Sequence, residues 1–184
     1  NPQNYGRGDD SNHILSNQHS INWISRGFPG ENNFILFNNV HNGNEMQGES
    51  AVLEFILPVD SMGNYTIYEN EPYGPSSISW IYAGNGMFSS FQSGSFRLPN
   101  GNTLITDADS AHIFEVTSQG DIVWEYTYTG SNVAIPRAQK YAITDFVTLG
   151  DLNFDFSLNI LDIVQLTNLV LENGFEINGD MNQD

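Results

Sequence analysis

Alternation of large apolar side chains with smaller or polar ones predicts short β-strands along most of the chain. The clearest stretch begins at Ile122, where Ile122, Trp124 and Tyr126 point to one face if the segment is extended. Turn signals bound such stretches. Pro99-Asn100-Gly101 contains the Asn-Gly pair typical of a tight hairpin, and Ser118-Gln119-Gly120-Asp121 closes the next one. We therefore predict a mainly β fold.

The predicted strands occur twice, in the same order. Segments 18–24, 33–37, 50–55 and 78–82 correspond to segments 92–98, 102–106, 111–116 and 122–126. Four short antiparallel strands are the blade of a β-propeller, which typically needs about four to eight blades to close. Residues 136–147 are positioned to start a third blade. The sequence therefore predicts an incomplete propeller, with the remaining blades supplied by a longer chain or by another copy.

A different period appears near the C-terminus. Apolar residues recur there at three- and four-residue intervals, which predicts an amphipathic helix over residues 159–172. They are Ile160, Ile163, Val164, Leu166, Val170 and Leu171. This helix is the small α-helical part of the predicted fold.

The segment before the helix has the spacing of a calcium loop. Counted from Asp151 as position 1, oxygen-bearing side chains fall at positions 3, 5, 7, 9 and 12: Asn153, Asp155, Ser157, Asn159 and Asp162. Calcium takes oxygen ligands from such a 12-residue loop, with a backbone carbonyl at position 7. Position 6 favours glycine, but Phe156 stands there, at a cost of about 1–2 kcal/mol if its φ is positive. We predict a calcium site formed by these six residues.

Gly150-Asp151-Leu152-Asn153-Phe154-Asp155 is echoed 29 residues later by Gly179-Asp180-Met181-Asn182-Gln183-Asp184. Loop, helix, linker and second loop resemble a type I dockerin, a calcium-dependent docking module with EF-hand-like loops. The resemblance covers residues 148–184, with the second repeat truncated, and implies a cohesin-like protein partner. It places the partner-binding positions at Ile160 and Leu161, which are equally suited to packing within the module.

The net charge of the chain argues against two classes of partner. The 22 acidic residues against 5 basic ones give a net charge of −17, which argues against binding nucleic acid or anionic membranes. No apolar run of membrane-spanning length is present. Cysteine is absent, which excludes disulfides and thiol chemistry. The acidity suits calcium and a secreted, extracellular setting.

Several motifs in residues 1–147 together resemble the aryl sulfotransferase family. They are Asn1-Pro2-Gln3-Asn4-Tyr5-Gly6-Arg7-Gly8, Gln18-His19, Phe37-Asn38-Asn39, Arg97-Leu98-Pro99-Asn100-Gly101-Asn102-Thr103-Leu104-Ile105, Ile113-Phe114-Glu115-Val116-Thr117 and Ile122-Val123-Trp124-Glu125-Tyr126. The family fold is a six-bladed β-propeller, so the resemblance implies that these residues form its later blades.

The same resemblance implies transfer of a sulfuryl group between phenolic compounds through a histidine. A neutral imidazole can hold the group covalently, and positive or hydrogen-bonding groups stabilise the charge that develops. His19 and Arg97 are the candidate catalytic residues, the second because it shares the strand parity of the first. Both also have structural interpretations, as a strand-capping histidine and a salt-bridging arginine. Gln139 stands where the family often has another histidine.

Two hypotheses follow from the sequence. The first is a secreted aryl sulfotransferase-like enzyme that acts on aryl sulfates and is tethered by a calcium-dependent dockerin. The second is a non-catalytic propeller for binding or assembly, in which the dockerin carries the interaction.

Overall fold

The fold is mainly β, as predicted. The computed structural model describes residues 6–9, 12–44, 47–131, 133–141, 150–153 and 157–172. The chain divides between Gln139 and Lys140 into two compact units, a β-sheet body and a smaller loop–helix unit. The domain boundary predicted at 147/148 falls within the undescribed stretch 142–149. Among the described residues, no helix has the length and apolar character needed to cross a membrane.

Sheet 1 is an antiparallel meander of four consecutive strands. They are β1 (Gln18–Trp23), β2 (Phe34–Asn44), β3 (Gln47–Phe55) and β4 (Trp80–Ala83). Phe37, Val52 and Tyr82 form one row across the sheet. The pairing of β1 with β2 shifts register between His19 and Asn22, where Ser20 has a φ of 53°.

Sheet 2 repeats this arrangement. Its strands are β5 (Gly94–Arg97), β6 (Thr103–Asp107), β7 (His112–Val116) and β8 (Ile122–Thr127), again paired in chain order. The predicted Asn-Gly turn joins β5 to β6: Leu98 N–H donates to Asn102 O at 2.8 Å, and Gly101 has a φ of +88°. Glycine adopts this conformation without the steric cost of a Cβ. Both predicted four-stranded repeats are confirmed; their closure into a propeller stays a prediction.

The main core lies between the two sheets. Sheet 1 contributes Ile35, Phe37 and Val52, all fully buried, with Tyr82; sheet 2 contributes Ile105, Phe114 and Val116. A second cluster lies on the opposite face of sheet 1, where Leu36, Ala51, Leu53 and Phe55 are covered by Ile14, Leu15 and Ile78. Sheet 1 is therefore covered on both faces, and one of its two covers is sheet 2.

The loop–helix unit contains one described helix, α1 (Ile160–Leu171), which confirms the helix predicted over 159–172. Asn159 is its N-cap: the side chain accepts from Leu161 N–H at 2.8 Å. Asp162 completes a capping box by accepting the N–H of Asn159 at 2.8 Å. The helix therefore begins where the sequence predicts a metal loop to end.

Candidate functional sites

His19 lies at the start of β1 with its ring exposed. Its Nδ1 is 2.8 Å from Oδ1 of Asn39 and 3.2 Å from the backbone oxygen of Asn17. Both neighbours are hydrogen-bond acceptors, so Nδ1 must carry the proton when the imidazole is neutral. The lone pair is then on Nε2, to which no described residue hydrogen-bonds. This is the tautomer that a nucleophilic imidazole needs.

Asn39 orients this ring, and it was not predicted from the sequence as a site residue. It is fully buried, and its Nδ2 donates to the backbone oxygens of Ser89 at 2.8 Å and Gln92 at 3.2 Å. Because these bonds fix the amide nitrogen, the amide oxygen must face His19. Its only sequence signal is its place in the Phe37-Asn38-Asn39 run, where two amides follow a core residue.

Arg137 lies near this end of β1. A Cβ placed on Gly94 would come within 2.9 Å of Ser20 Oγ and 3.1 Å of Arg137 Cγ, so the three residues converge. The guanidinium carbon of Arg137 lies 5.8 Å from the centre of the Phe96 ring. Arg137 is exposed, and so it supplies a positive charge at the same end of the strands as His19. The sequence prediction did not assign it a catalytic role.

The structure does not bring Arg97 to His19. Strands β1 and β5 run side by side, with Ser20 next to Gly94 and Asn22 Nδ2 bonded to Ser95 O at 2.9 Å. Arg97 lies three residues beyond Gly94, roughly 10 Å further along the strand. His19 precedes Ser20, so the two candidate catalytic residues lie toward opposite ends of the neighbouring strands.

Arg97 is instead buried in an interaction that joins the two sheets. Its side chain is 5% exposed and forms an ion pair with Glu54 of β3, whose side chain is 9% exposed. It also donates to Gly101 O at 3.0 Å, and its guanidinium carbon lies 4.9 Å from the centre of the Trp80 ring. The charge of Arg97 is therefore matched within the fold.

A groove of about 560 Å³ opens beside this ion pair. It is lined by residues of both sheets, among them Glu54, Trp80, Arg97, Asn100 and Ser118. The groove lies at the turn end of β5, away from His19. The structure therefore separates this groove from the candidate nucleophile.

The predicted calcium loop is closed at its two ends. Asp162 Oδ1 accepts the N–H groups of Leu152 at 2.8 Å and Asn153 at 3.4 Å, which brings position 12 beside position 1. Asp151 and Asp162 are 2% and 4% exposed. Two carboxylates at the ends of one short loop are thus withdrawn from solvent.

Hydrogen bonds keep Asp162 ionised. The N–H of Asn159 has the largest effect, and those of Leu152 and Asn153 add to it, so the pKa of this carboxyl lies below its usual value of 3.8. A carboxylate offers about four lone-pair positions, and three N–H groups use three of them here. The described donors, carboxylate and amide oxygens, suit calcium in kind.

The remaining predicted ligands are only partly described. Asn159 uses its side-chain oxygen as the helix cap, and its Nδ2 donates to Ser157 O at 3.0 Å. Asp155, Phe156 and the second loop at 179–184 lie outside the described residues. Within the described part of the chain, no three histidine, cysteine, aspartate or glutamate side chains cluster as metal ligands. The calcium site stays a prediction.

Helix α1 exposes its apolar residues. Seven of them are between 42% and 75% exposed: Ile160, Leu161, Ile163, Val164, Leu166, Val170 and Leu171. Asp162 is the buried member of the helix. Ile160 and Leu161, the positions that the dockerin resemblance assigns to the partner, belong to this exposed set.

Neither models of known protein families, nor curated proteins, nor solved structures match this chain.

Proposed function

We propose that the loop–helix unit is a calcium-dependent docking module of a secreted protein. The observation that carries the proposal is the closure of the loop by Asp162, which places two buried carboxylates at its ends and starts an apolar, exposed helix. A loop that binds a cation and a helix that presents apolar side chains are the two parts that such docking needs. The resemblance to dockerins gives the partner class, a cohesin-like protein domain.

Asp151 and Asp162 have defined parts in the proposal. Asp151 and Asp162 hold negative charge out of water, which is costly for carboxylates unless charge or hydrogen bonds compensate it. Hydrogen bonds already compensate the charge of Asp162 in part, and bound calcium would add positive charge beside the two carboxylates. Asp162 also caps α1, so the order of the loop and the start of the helix depend on one side chain.

Calorimetric titration of the full chain with calcium, after removal of bound ions by a chelator, tests this proposal. We expect Asp151→Asn to weaken calcium binding by about tenfold or more, since it removes a ligand charge at position 1. Asp121→Asn is the matched control, because Asp121 is an exposed turn residue of the β-sheet body. Equal calcium affinity in the two variants would refute the calcium site. Capture on an immobilised cohesin domain, with and without chelator, then tests docking itself.

A second function, sulfuryl transfer through His19, is favoured by the hydrogen bonds at its Nδ1. In the step that the family resemblance implies, the Nε2 lone pair attacks sulfur of an aryl sulfate. An N–S bond forms, the S–O bond to the aryl group breaks, and the phenolate leaves. The oxygen of an acceptor phenolate then attacks the same sulfur, and the N–S bond breaks, which restores the neutral imidazole. Asn39 holds the ring in the required tautomer, and Arg137 supplies charge for the sulfate oxygens.

Incubation of the full chain with 4-nitrophenyl sulfate and a phenol acceptor tests this second proposal. We expect release of nitrophenolate and an intact mass increased by one sulfuryl group, both lost in His19→Gln. His13→Gln is the control, because His13 is exposed in a segment outside the sheets. Turnover that survives His19→Gln would exclude His19 as nucleophile. Absence of turnover alongside calcium-dependent docking would leave the non-catalytic assembly module as the function.

A further inference from the structure

The two sheets carry similar side chains on equivalent faces. In sheet 1, Glu54 pairs with Trp80 and Val52 with Tyr82 across β3 and β4. In sheet 2, Glu115 pairs with Trp124 and Ile113 with Tyr126 across β7 and β8. Cross-strand partners project from the same side of a sheet. Each sheet therefore has one face built from a glutamate–tryptophan pair next to an aliphatic–tyrosine pair.

In sheet 1 this face is covered by sheet 2. Tyr82 is 5% exposed, and its ring centre lies 5.7 Å from that of Phe114. Trp80 Nε1 donates to Ser118 O at 2.8 Å, in the turn between β7 and β8. Sheet 2 thus covers this face with the ring of Phe114 against Tyr82 and the backbone oxygen of Ser118 against the indole of Trp80.

In sheet 2 the equivalent face is covered only in part, at the end of β6. Residues 133–138 run across it, with Ile135 N–H bonded to Ala108 O at 3.3 Å and Ala138 N–H to Thr106 Oγ1 at 3.0 Å. A comparable segment crosses sheet 1, where Met87 O accepts from Ser50 N–H at 3.0 Å. The part of this face on β8 is open, because Trp124 and Tyr126 are each 48% exposed.

We infer that the Trp124–Tyr126 surface binds a further four-stranded β-sheet of the same repeat, seated as sheet 2 is seated on sheet 1. The incoming sheet supplies a backbone oxygen to Trp124 Nε1 and an apolar ring against Tyr126. The inference concerns the β-sheet body alone and is independent of both functions proposed above.

A second copy of this chain is a poor occupant. To repeat the observed packing, the copy would have to offer the opposite face of its own sheet 1. That face is already covered, because Leu36 and Leu53 are fully buried beneath Ile14, Leu15 and Ile78. Docking of a copy would first have to displace these residues. The occupant is therefore a sheet whose matching face is open.

A tandem chain tests the inference directly. Residues 84–127 are repeated immediately after Thr127, which places a second β5–β8 sheet where the packing of sheet 2 on sheet 1 predicts it. The protein contains no cysteine, so a single introduced thiol reports local accessibility. Tyr126→Cys in the first copy probes the surface. Glu125→Cys is the matched control, because Glu125 is the neighbouring residue of β8 and its side chain is 62% exposed on the other face.

We expect the rate of thiol modification at Tyr126→Cys to fall by about tenfold or more in the tandem chain, relative to the same substitution in the original chain. The rate at Glu125→Cys should stay within about twofold, since its face receives no new sheet. An unchanged rate at Tyr126→Cys would overturn the inference.

Hydrogen exchange guards against a failure of the added sheet to fold. An isolated small sheet is marginally stable and needs a packing partner, so lack of protection in the added copy would also overturn the inference. Protection of Tyr126→Cys in the original chain as its concentration rises would instead identify a second copy as the occupant, which also contradicts the inference.

Discussion

The β-sheet body and the loop–helix unit are stabilised in different ways. The body buries its largest side chains completely, Phe37, Ile35 and Leu53 among them. Helix α1 buries Asp162 and exposes seven apolar side chains. Burial of apolar surface is the main source of folding free energy, whereas a helix of this length is marginal alone in water. The body therefore depends on packing, whereas the described helix depends on its cap, because its apolar residues are exposed.

The largest expected effect comes from emptying the core of the body. Phe37→Ala should lower the free energy of unfolding by about 3–5 kcal/mol, because it leaves a cavity between the sheets. Leu166→Ala, the matched change on the exposed helix, should cost no more than about 0.5 kcal/mol. All three tryptophans lie in the body, so urea unfolding followed by tryptophan fluorescence measures it separately from the helical circular dichroism. Similar losses of unfolding free energy in the two variants would show that the helix depends on packing as much as the body does.

The buried ion pair gives the next effect. Glu54→Ala should destabilise the body by about 3 kcal/mol, because it leaves the charge of Arg97 buried without its partner. The double variant Glu54→Ala with Arg97→Leu should recover part of this loss, since it removes the uncompensated charge. Fluorescence-detected unfolding of the single and double variants measures both effects. A double variant less stable than Glu54→Ala would show that the arginine contributes through packing on Trp80 instead.

A smaller effect is expected at the helix cap. Asn159→Ala should lower the stability of α1 by about 1 kcal/mol, because Leu161 N–H loses its acceptor. The helical signal should weaken at lower temperature than in the parent, while the tryptophan signal of the body stays unchanged. Gln165→Ala, an exposed position in the middle of the helix, is the control. Coupled loss of both signals would show that the two units unfold together.

A fall in pH should change the stabilities of the two units in opposite directions: it should weaken the loop–helix unit and relieve a penalty in the body. The pKa of Asp162 is lowered, chiefly by the Asn159 N–H, so its stabilisation is present above the ordinary value of 3.8 and is lost as pH falls through the lowered pKa. Burial raises the pKa of Asp107, at the end of β6, above 3.8. Its ionised form therefore weakens the body at neutral pH, and this penalty is relieved as pH falls through the raised pKa toward 3.8.

Unfolding measured across this acidic range by the two signals checks the prediction. Asp162→Asn should flatten the pH dependence of the helical signal, and Asp107→Asn that of the tryptophan signal. The effects should be the smallest of the series, because each depends on one carboxyl. The same dependence in parent and variant would show that other groups control the acid response.

The sequence predicts the elements better than it predicts the sites. The strands follow from alternation and from the repeat of four segments, α1 from apolar residues three and four positions apart, and the turn from the Asn100-Gly101 pair. Strand parity predicts that Arg97 and His19 face the same side, but it carries no information on which residue each side chain contacts. Glu54 comes from a strand 43 residues earlier. Asn39 was missed because its role depends on the backbone oxygens of Ser89 and Gln92, which only the fold brings to it.

Strand β8 is the last strand of sheet 2 among the described strands, and it pairs on one side only, with β7. A free strand edge is a template for pairing with other molecules and for fibril growth. The net charge of −17 opposes this, because like-charged molecules repel each other in dilute salt. Salt at molar concentration shortens the range of that repulsion to about 3 Å. The acidity of the chain therefore also sets its colloidal behaviour, and concentrated stocks should keep longest without aggregation in dilute buffer.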